Sequence, residues 1–342
     1  MTDDLLDIQL RENVLTMHGS PEESVGSVLS GSLVFNVTEL TKVKSITLKF
    51  EGKLEFKGDK DVLVDTSTVT QHTWNFLEQQ RSHYNLPPSK HIFNFELPLS
   101  GDLPESVRVN YGMIVYRLVA VVKRPGLFKD LKTKREVKIQ RAPLPSMVEY
   151  TNNNTVTGIW DQRLEYSVSS PSPSYTFGDS IPIKVTLRPK AGHYPFRVLK
   201  VKASLSEYTL YRPSGSVTTV TRVEEISDNV HDCFGMESSF INETIQVHIP
   251  RIARNDCLTN FINVSHKLLV RIYMIDCHRR QKILYSNIPV VIQSDTQLEL
   301  SQSPPNYTSY LSDSSDDMCT PPPYYDFNQY SSSVSSSGDE SM

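Results

Sequence analysis

The sequence has few of the features by which catalytic, metal-binding or disulfide-linked proteins are recognised. Its four cysteines, Cys233, Cys257, Cys277 and Cys319, are widely separated and form no Cys-x-x-Cys pair. That spacing argues against a zinc site and a disulfide framework, and it fits a reducing compartment. Glycine accounts for only 14 of the 342 residues, and no glycine-rich phosphate-binding loop is present.

Hydrophobic runs of membrane-spanning length are also absent from the sequence. The first residues, Met-Thr-Asp-Asp, carry neither the apolar core of a signal peptide nor a glycine for myristoylation. We therefore expect a cytosolic protein, in which glycosylation sequons such as Asn36-Val37-Thr38 are chance matches.

No arrangement of residues predicts a catalytic centre, a metal site or a cofactor site. Cys277 and His278 lie at the end of a predicted strand, where neighbouring side chains point to opposite faces and cannot form a nucleophile–base pair. His266 is interpreted as a strand histidine with a local hydrogen bond rather than as a ligand. The prediction is a protein that is not an enzyme and needs no cofactor.

Positive charge is missing from one region of the chain. Residues 294–342 contain eight acidic residues, no lysine or arginine, many serines and few aliphatic residues. Such a segment cannot bury enough apolar surface to fold alone, which predicts a disordered tail. Residues 1–293 hold 35 basic and 31 acidic residues, a net charge of +4. A mildly basic body indicates a weak preference for anionic surfaces and no nucleic-acid binding.

The acidic tail carries Pro-Pro-x-Tyr phrases at two places, the second in two overlapping registers. They are Pro304-Pro305-Asn306-Tyr307 and Pro321-Pro322-Pro323-Tyr324-Tyr325. Adjacent prolines favour the polyproline II helix, which docks in the aromatic groove of a WW domain, with the tyrosine in its own pocket. Pro304 and Pro321 are 17 residues apart, and a flexible connection of that length spans roughly 20–25 Å, enough for two neighbouring WW domains. The alternative, proline-rich breakers in a linker, is weakened because two phrases share one arm.

Alternation of apolar and polar residues with a period of two runs through the rest of the chain. From Ser45 to Lys57 the even positions are almost all apolar and the odd positions are polar. The same alternation recurs in residues 29–37, 93–97, 181–187, 199–205, 268–274 and 288–292. It predicts antiparallel sheets with one buried face. Met113–Val122 is apolar on nearly both faces and predicts a central strand covered on two sides, whereas Thr73–His83 is predicted to hold a helical turn.

A turn-rich stretch from Pro143 to Asn154 separates two blocks of predicted strands. We therefore predict an all-β chain of two consecutive antiparallel β-sandwiches. The predicted ranges are 1–143 for the first sandwich, 144–158 for a linker, 159–293 for the second sandwich and 294–342 for the disordered acidic Ser/Pro-rich tail.

Several phrases on these strands resemble the α-arrestin family, in the same order along the chain. They are Gly19–Phe56, Phe93–Val107 and Tyr116–Gly126 for the N-terminal domain, and Tyr166–Lys190 and Val264–Ile292 for the C-terminal domain. The fungal arrestin-related trafficking adaptors are the most similar group, because they share the Pro-Pro-x-Tyr tail. Leu5-Leu6-Asp7-Ile8 is similar to a clathrin box, but it lacks the terminal acid and is assigned to a first strand.

The resemblance implies an adaptor with two arrestin-like sandwiches that engage a membrane transporter or receptor as cargo. Its tail would recruit a WW-domain HECT-type ubiquitin ligase, so that the cargo is ubiquitinated, internalised and sorted. The expected location is the cytoplasm, with peripheral recruitment to the plasma membrane, Golgi or endosomes. The alternative is a vesicle-sorting scaffold of arrestin-like, retromer-type fold, which does not depend on paired Pro-Pro-x-Tyr phrases.

A basic segment follows Met113–Val122, with a turn predicted at Pro125-Gly126. Eight basic residues fall within nineteen positions, namely Lys123, Arg124, Lys129, Lys132, Lys134, Arg135, Lys138 and Arg141. One interpretation is a hairpin that contacts anionic lipid or an acidic cargo tail. The other is an ordinary solvated hairpin, and the sequence leaves both open.

The tail contains no lysine, so a ubiquitin acceptor on this chain would lie in the folded body. Lys267 and Lys282 are the candidates nearest to the tail in sequence. Lys267 is preferred because it alternates away from the apolar Leu268–Met274 stripe and should face solvent. A plain solvated lysine remains the alternative for each.

Overall fold

The computed structural model describes residues 5–58, 63–79, 82–142, 154–191, 196–213, 219–233 and 240–294. By their contacts the residues divide into two units, Met1–Pro304 and Pro305–Met342, and all described residues belong to the first. Within these described ranges every regular element is a β-strand, and no helix is long and apolar enough to cross a membrane.

In the first half of the chain, the described residues form a sandwich of eleven strands. They are β1 Leu5–Leu10, β2 Val14–His18, β3 Ser27–Val37, β4 Thr41–Val43, β5 Ser45–Lys57, β6 Leu63–Leu77, β7 Tyr84–Leu86, β8 Ser89–Leu99, β9 Val107–Val109, β10 Gly112–Lys123 and β11 Leu131–Ala142. One sheet has the order β1-β3-β8, and the facing sheet has the order β2-β11-β10-β5-β6, with β9 beside β10. A small β4-β7 pair closes one end.

In the second half, ten strands can be assigned within the ranges that the structure describes, and they form a second sandwich. They are β12 Thr155–Trp160, β13 Leu164–Ser169, β14 Ser174–Thr176, β15 Ser180–Pro189, β16 Arg197–Tyr211, β17 Val220–Asp232, β18 Ile241–His248, β19 Cys257–Leu258, β20 Ile262–Ile275 and β21 Gln281–Gln293. One sheet has the order β12-β13-β15-β18, and the other has the order β14-β21-β20-β16-β17, with β19 beside β20.

The two larger sheets repeat one strand pattern. In each, a short edge strand lies parallel to the last strand of the domain: β2 to β11 and β14 to β21. The last two strands form an antiparallel hairpin, β10–β11 or β20–β21. The predicted fold of two consecutive β-sandwiches is confirmed, with one correction. The sheets are not wholly antiparallel, since each sandwich contains one parallel pair, β2–β11 or β14–β21.

The apolar alternation seen in the sequence lies on the inner faces of these sheets. Leu48, Phe50 and Leu54 of β5 are fully buried in the first core, and Leu268 and Val270 of β20 are fully buried in the second. The first core also includes residues of the second half, among them Tyr211 and Ile262. The two sandwiches therefore share apolar packing where they meet, as in the 6.3 Å edge contact between the rings of Phe56 and Tyr211.

Three local predictions need comment. The helical turn predicted at Thr73–His83 is wrong up to Leu77, because Thr73 to Leu77 continue β6 in register with β5. Most of the outer face of β10 is only half-buried, as at Val119 between Lys134 and Lys49, and Val115 is the buried exception on that face. Of the predicted linker 144–158, residues 144–153 lie outside the described residues, and β12 begins at Thr155.

Candidate functional site

The predicted WW-binding residues all lie outside the described residues. They are Pro304, Pro305, Tyr307, Pro321, Pro322, Pro323, Tyr324 and Tyr325. The structure describes the chain as far as Ser294, directly after β21. The other predicted functional residues can be placed.

The eight predicted basic residues do not form one surface. Lys123, Arg124 and Lys129 lie at the β10–β11 turn, and Lys132, Lys134 and Lys138 point outward from β11. Arg135, also on β11, donates from Nη2 to Asn13 Oδ1 at 2.9 Å. Among the described residues, no ion pair involves Lys129, Lys132 or Lys134, so these cations remain available to an outside partner.

Arg141 is held inside the protein, half-buried at the far end of β11. Its guanidinium donates to the carbonyl oxygens of Gly19 at 2.8 Å, Gly101 at 2.7 Å and Leu103 at 3.1 Å. Burial lowers the pKa of Arg141, although nearby carboxylates including that of Glu105 act to raise it. These bonds occupy the side chain in loop packing, so we place Arg141 outside any surface that contacts anions.

The two candidate acceptor lysines differ in position. Lys267 is exposed, as expected from its alternation in β20, and its Nζ lies 5.0 Å from the centre of the Tyr208 ring. It pairs with Pro289, four residues before the end of β21 at Gln293, a separation of about 13 Å along the strand. Lys282 is half-buried at the opposite end of β21, about 37 Å from Gln293. Lys267 is therefore the candidate closer to the point where the tail begins.

Cys277 and His278 were predicted to face apart on a strand, and that reason is wrong. They lie in the turn between β20 and β21, where Cys277 Sγ and His278 Nδ1 are 3.2 Å apart. The turn is exposed and is held by Asp276, whose carboxylate accepts from the backbone of His278 and Arg280. Within the described residues, no group of His, Cys, Asp or Glu side chains could hold a metal ion.

A buried ionic cluster lies on the inner face of the second sandwich, near the first. Glu207 of β16 and His266 of β20 are directly opposite each other, and His266 Nε2 lies 3.4 Å from Glu207 Oε2. The other ring nitrogen, Nδ1, hydrogen-bonds Asp256 Oδ1 at 2.6 Å. Arg254 forms a second ion pair with Glu207. Two carboxylates therefore face two basic side chains, of which His266 is fully buried.

The pKa shifts follow from this arrangement. Burial acts to lower the pKa of His266, but contacts with Asp256 and Glu207 outweigh it and raise the pKa to about 9. Burial acts to raise the pKa of Glu207, but His266 and Arg254 outweigh it, so that pKa is lowered. For Asp256, burial prevails over the contact with His266 and raises the pKa. Protonated His266 and Arg254 therefore balance the carboxylates at neutral pH.

The cluster joins the first sandwich to the last strand of the second. Arg254 Nη2 lies 2.5 Å from Asn110 Oδ1, in the turn between β9 and β10. On the other side, Asp256 Oδ1 accepts from the backbone N–H of Ile292 at 2.8 Å. A further junction group is buried Glu105, whose pKa is raised by burial to about 7, against backbone hydrogen bonds from Arg141 and Leu258. The cluster can exchange protons and hold elements together.

Sequence reasoning identified His266 as a hydrogen-bonded strand histidine and missed its partners. A signal was present, because Glu207 continues the inward Leu199–Leu205 alternation and His266 continues that of Leu268–Met274. Two titratable residues on inward stripes predict a buried pair if their strands are neighbours. The pairing of β16 with β20 could not be read from the sequence.

Comparison with known families covers most of the chain. Residues 19–142 match the family model described as arrestin (or S-antigen), N-terminal domain. Residues 160–296 match the one described as arrestin (or S-antigen), C-terminal domain. The matched ranges contain the ionic cluster and most of both sandwiches, leaving out β1, β2 and the start of β12.

Individual relatives are fungal. An arrestin domain-containing protein of Schizosaccharomyces pombe is 26% identical over 317 residues, covering 85% of this chain and 51% of that protein. The HECT-type ubiquitin ligase-interacting protein creD of Emericella nidulans is 29% identical over 193 residues, covering 54% of this chain and 32% of creD. Another S. pombe protein, provisionally named an arrestin-related trafficking adapter, is 26% identical over 213 residues, or 52% of this chain and 42% of the relative. The chain thus spans about half or less of the length of these relatives. With both arrestin domains matched over most of its length, the chain belongs to the arrestin family, in its α-arrestin branch.

Proposed function

We propose that this protein is an adaptor that brings a WW-domain HECT-type ubiquitin ligase to a membrane transporter or receptor. The observation that carries the proposal is the presence of two Pro-Pro-x-Tyr sites on one lysine-free acidic arm. Support comes from relatives such as creD, which is named as interacting with a HECT-type ubiquitin ligase. Cargo bound by the sandwiches would then be ubiquitinated, internalised and sorted.

The protein would act from the cytoplasm, with recruitment to the plasma membrane, Golgi or endosomes where its cargo resides. Its role is binding and positioning, in keeping with the non-catalytic character of arrestin-family adaptors. A retromer-type scaffold is the second candidate, and it is disfavoured because such a scaffold has no use for paired ligase-binding phrases.

The test is calorimetric titration of the full chain with a tandem WW fragment of a HECT-type ligase. Tyr307→Ala, and Tyr324→Ala with Tyr325→Ala, should each weaken binding, because each removes the side chain that fills the tyrosine pocket. The second pair is changed together because the overlapping registers substitute for one another. The triple variant should lose binding altogether, since neither site is left to provide avidity.

Tyr310 and Tyr330 provide a matched control on the same arm. Neither follows a Pro-Pro-x sequence, so Tyr310→Ala with Tyr330→Ala should bind as the wild type does. Unchanged affinity in the triple variant would refute tail docking. Weaker binding in the Tyr310→Ala, Tyr330→Ala control would show that the WW fragment recognises the tyrosine-rich composition of the arm and not the Pro-Pro-x-Tyr motifs.

A further inference from the structure

The turn between β10 and β11 places two large apolar side chains in solvent. Leu127 is fully exposed and Phe128 is 70% exposed, although adjacent residues of the hairpin are charged. Gly126, at the apex, has φ of +70°, and a Cβ there would meet no atom within 4 Å. The turn therefore projects from the sandwich, and Leu127 and Phe128 form its apolar tip.

The tip is held in place by bonds at its base. The backbone N–H of Arg124 donates to Asp130 Oδ1 at 3.3 Å, and Arg124 Nε donates to the carbonyl of Lys129 at 2.8 Å. The Arg124 guanidinium also lies 5.8 Å from the centre of the Phe128 ring. These contacts close the loop beneath Leu127 and Phe128 and leave their outer surfaces uncovered.

The equivalent hairpin of the second sandwich shows that the fold does not require an apolar tip. Between β20 and β21 the turn is Asp-Cys-His-Arg-Arg, residues 276–280, and it contains no large aliphatic or phenyl side chain. It closes through bonds from the backbone N–H groups of His278 and Arg280 to Asp276. The same hairpin is thus built with polar residues, so exposing Leu127 and Phe128 needs a reason other than folding.

Basic residues predominate in the segments at the end of the first sandwich that carries the apolar tip. Lys123 pairs with Ser45, and its carbonyl accepts from the backbone N–H of Lys44 at 2.7 Å, which brings residues 38–44 to this end of the sandwich. Exposed Leu40 lies in that segment. The described residues 38–44, 78–79 and 123–134 contain seven basic and three acidic side chains. Their basic members are Lys42, Lys44, Lys123, Arg124, Lys129, Lys132 and Lys134.

We propose that this end of the first sandwich is a membrane-docking surface, with Leu127 and Phe128 inserted among the acyl chains of an anionic lipid surface and the surrounding cations at its headgroups. Charge complementarity selects an anionic partner. The shape selects a bilayer, because the apolar tip is convex and a lipid interface can close around a projecting phenyl and isobutyl group. An acidic peptide would neutralise the cations and leave the tip in water.

The first experiment measures sedimentation of the full chain with phosphatidylcholine vesicles containing or lacking phosphatidylserine. Binding should require phosphatidylserine and weaken as salt rises, because the headgroup contacts are screened. Leu127→Ser with Phe128→Ser should reduce the partition coefficient by about tenfold or more, since both apolar contacts are lost. Lys129→Glu with Lys132→Glu and Lys134→Glu should reduce it in low salt.

The matched control removes two equally exposed apolar residues from other places. Val25, which lies before β3, and Ile252, which lies between β18 and β19, are also largely exposed. Val25→Ser with Ile252→Ser should bind vesicles as the wild type does. If this control lost as much vesicle binding as the Leu127→Ser, Phe128→Ser variant, binding would depend on nonspecific hydrophobic contact and not on the tip. That result would overturn the proposal.

The second experiment detects insertion directly. Phe128→Trp should shift its emission to the blue on binding phosphatidylserine vesicles and be quenched by brominated acyl chains, with Trp74 and Trp160 of the wild type as the background. Vesicle binding without shift or quenching would show a purely electrostatic contact and overturn insertion. A third outcome would assign the surface to an acidic peptide. In that case the wild type would not bind vesicles, and the Leu127→Ser, Phe128→Ser variant would bind a soluble poly-glutamate peptide with wild-type affinity. No ligase takes part, so the result is independent of the proposed tail function.

Discussion

The two sandwiches use the same sheet pattern and place their charges in opposite ways. In the larger sheet of each, the middle strand pairs β5–β10 and β16–β20 bring a glutamate opposite a basic residue. Glu51 faces Arg117 on the outer surface of the first sandwich, and Glu207 faces His266 on the inner surface of the second. One pair lies at the surface and the other is closed off from water.

The surface arrangement leaves the first sandwich free to present charge. Glu51 accepts from Lys49 at 2.9 Å and lies 3.4 Å from Lys53, both on its own strand. Contacts with these lysines lower the pKa of Glu51, the hydrogen bond from Lys49 contributing most. Such pairs exchange readily with water and contribute little to stability. The surplus cations remain at the β10–β11 end, where we place the membrane contact.

The buried ionic cluster of the second sandwich connects it to the first sandwich. Arg254 reaches Asn110 of the first sandwich, while Asp256 bonds to Ile292 close to the end of β21. The same ionic cluster therefore contacts the first sandwich through Arg254 and holds the end of β21 through Asp256, and the tail follows β21 in the sequence. The same sheet pattern therefore carries its glutamate at the surface in one half and in a buried ionic cluster in the other.

The largest effect should come from removing the buried glutamate. Glu207→Ala leaves protonated His266 and Arg254 without their shared carboxylate, in a site only 2% exposed on the glutamate side. Loss of one partner of a buried ionic group costs roughly 3–5 kcal/mol in the free energy of unfolding. Urea denaturation followed by circular dichroism measures that loss.

Glu51→Ala is the control that tests the comparison itself. It removes a glutamate from the equivalent strand, but from the solvent side, and should cost roughly 0–1 kcal/mol. If the two variants lose similar free energy, the contrast between inner and outer charge is wrong.

A smaller effect should follow from raising the pH. The folded pKa of His266 is about 9 and its ordinary value is 6.5, so the folded state holds this proton more tightly. The stabilisation is complete below pH 6.5 and is lost as the pH rises through 9, a difference of roughly 3 kcal/mol in the free energy of unfolding. Glu105 has a folded pKa of about 7, above its ordinary 4.5. Its effect on the free energy of unfolding therefore changes between pH 4.5 and 7, below the range in which His266 titrates. The unfolding free energy measured from pH 7.5 to 9.5 therefore reports mainly on His266.

Two histidine variants separate this slope from other titrations. His266→Gln keeps a donor toward Asp256 but does not titrate, so the decline between pH 7.5 and 9.5 should flatten. His231→Gln removes a partly exposed histidine 3.9 Å from Glu243 and should keep the wild-type slope. An unchanged slope in His266→Gln would remove the cluster as the source.

The strand pattern was readable from the sequence because alternation reports burial directly. Ser45–Lys57 was assigned as a strand from its even apolar positions, and β5 has those bounds. Lys267 was predicted to face solvent by the same reasoning and is exposed. Local periodicity was enough to predict strand bounds and side-chain exposure, because both depend on a single strand and its two faces.

Features that depend on two distant strands were not readable. Arg141 resembled the other basic residues of its segment, but its partners are carbonyls of Gly19, Gly101 and Leu103, far away in sequence. Glu207 and Asp256 likewise meet His266 only because β16 and β20 are neighbours and the Arg254–Asp256 segment packs against them. The apolar tip was not predicted either, because two apolar residues within a basic run do not indicate from sequence whether Leu127 and Phe128 are buried or exposed.

The smallest expected effect concerns the proposed ubiquitin acceptor on the second sandwich. A ligase bound to the tail would first meet lysines of the second sandwich, and Lys267 is exposed near the end of β21. Lys267→Arg keeps the charge over Tyr208 and removes the acceptor amine, so ligase binding should be unchanged. We expect a partial loss of the ubiquitin-dependent mobility shift in cells, because neighbouring lysines substitute in part.

Lys200→Arg is the matched control within the same sandwich. Its Nζ lies 4.9 Å from the centre of the Tyr273 ring, as Lys267 does from Tyr208, but it pairs with Tyr273 near the other end of β20. Lys132→Arg gives the comparison on the first sandwich, and both should leave the shift unchanged. If Lys132→Arg reduces the shift and Lys267→Arg does not, the acceptor lies on the first sandwich. A shift that survives the triple tyrosine variant would separate modification from tail docking altogether, because no ligase would then be held beside β21.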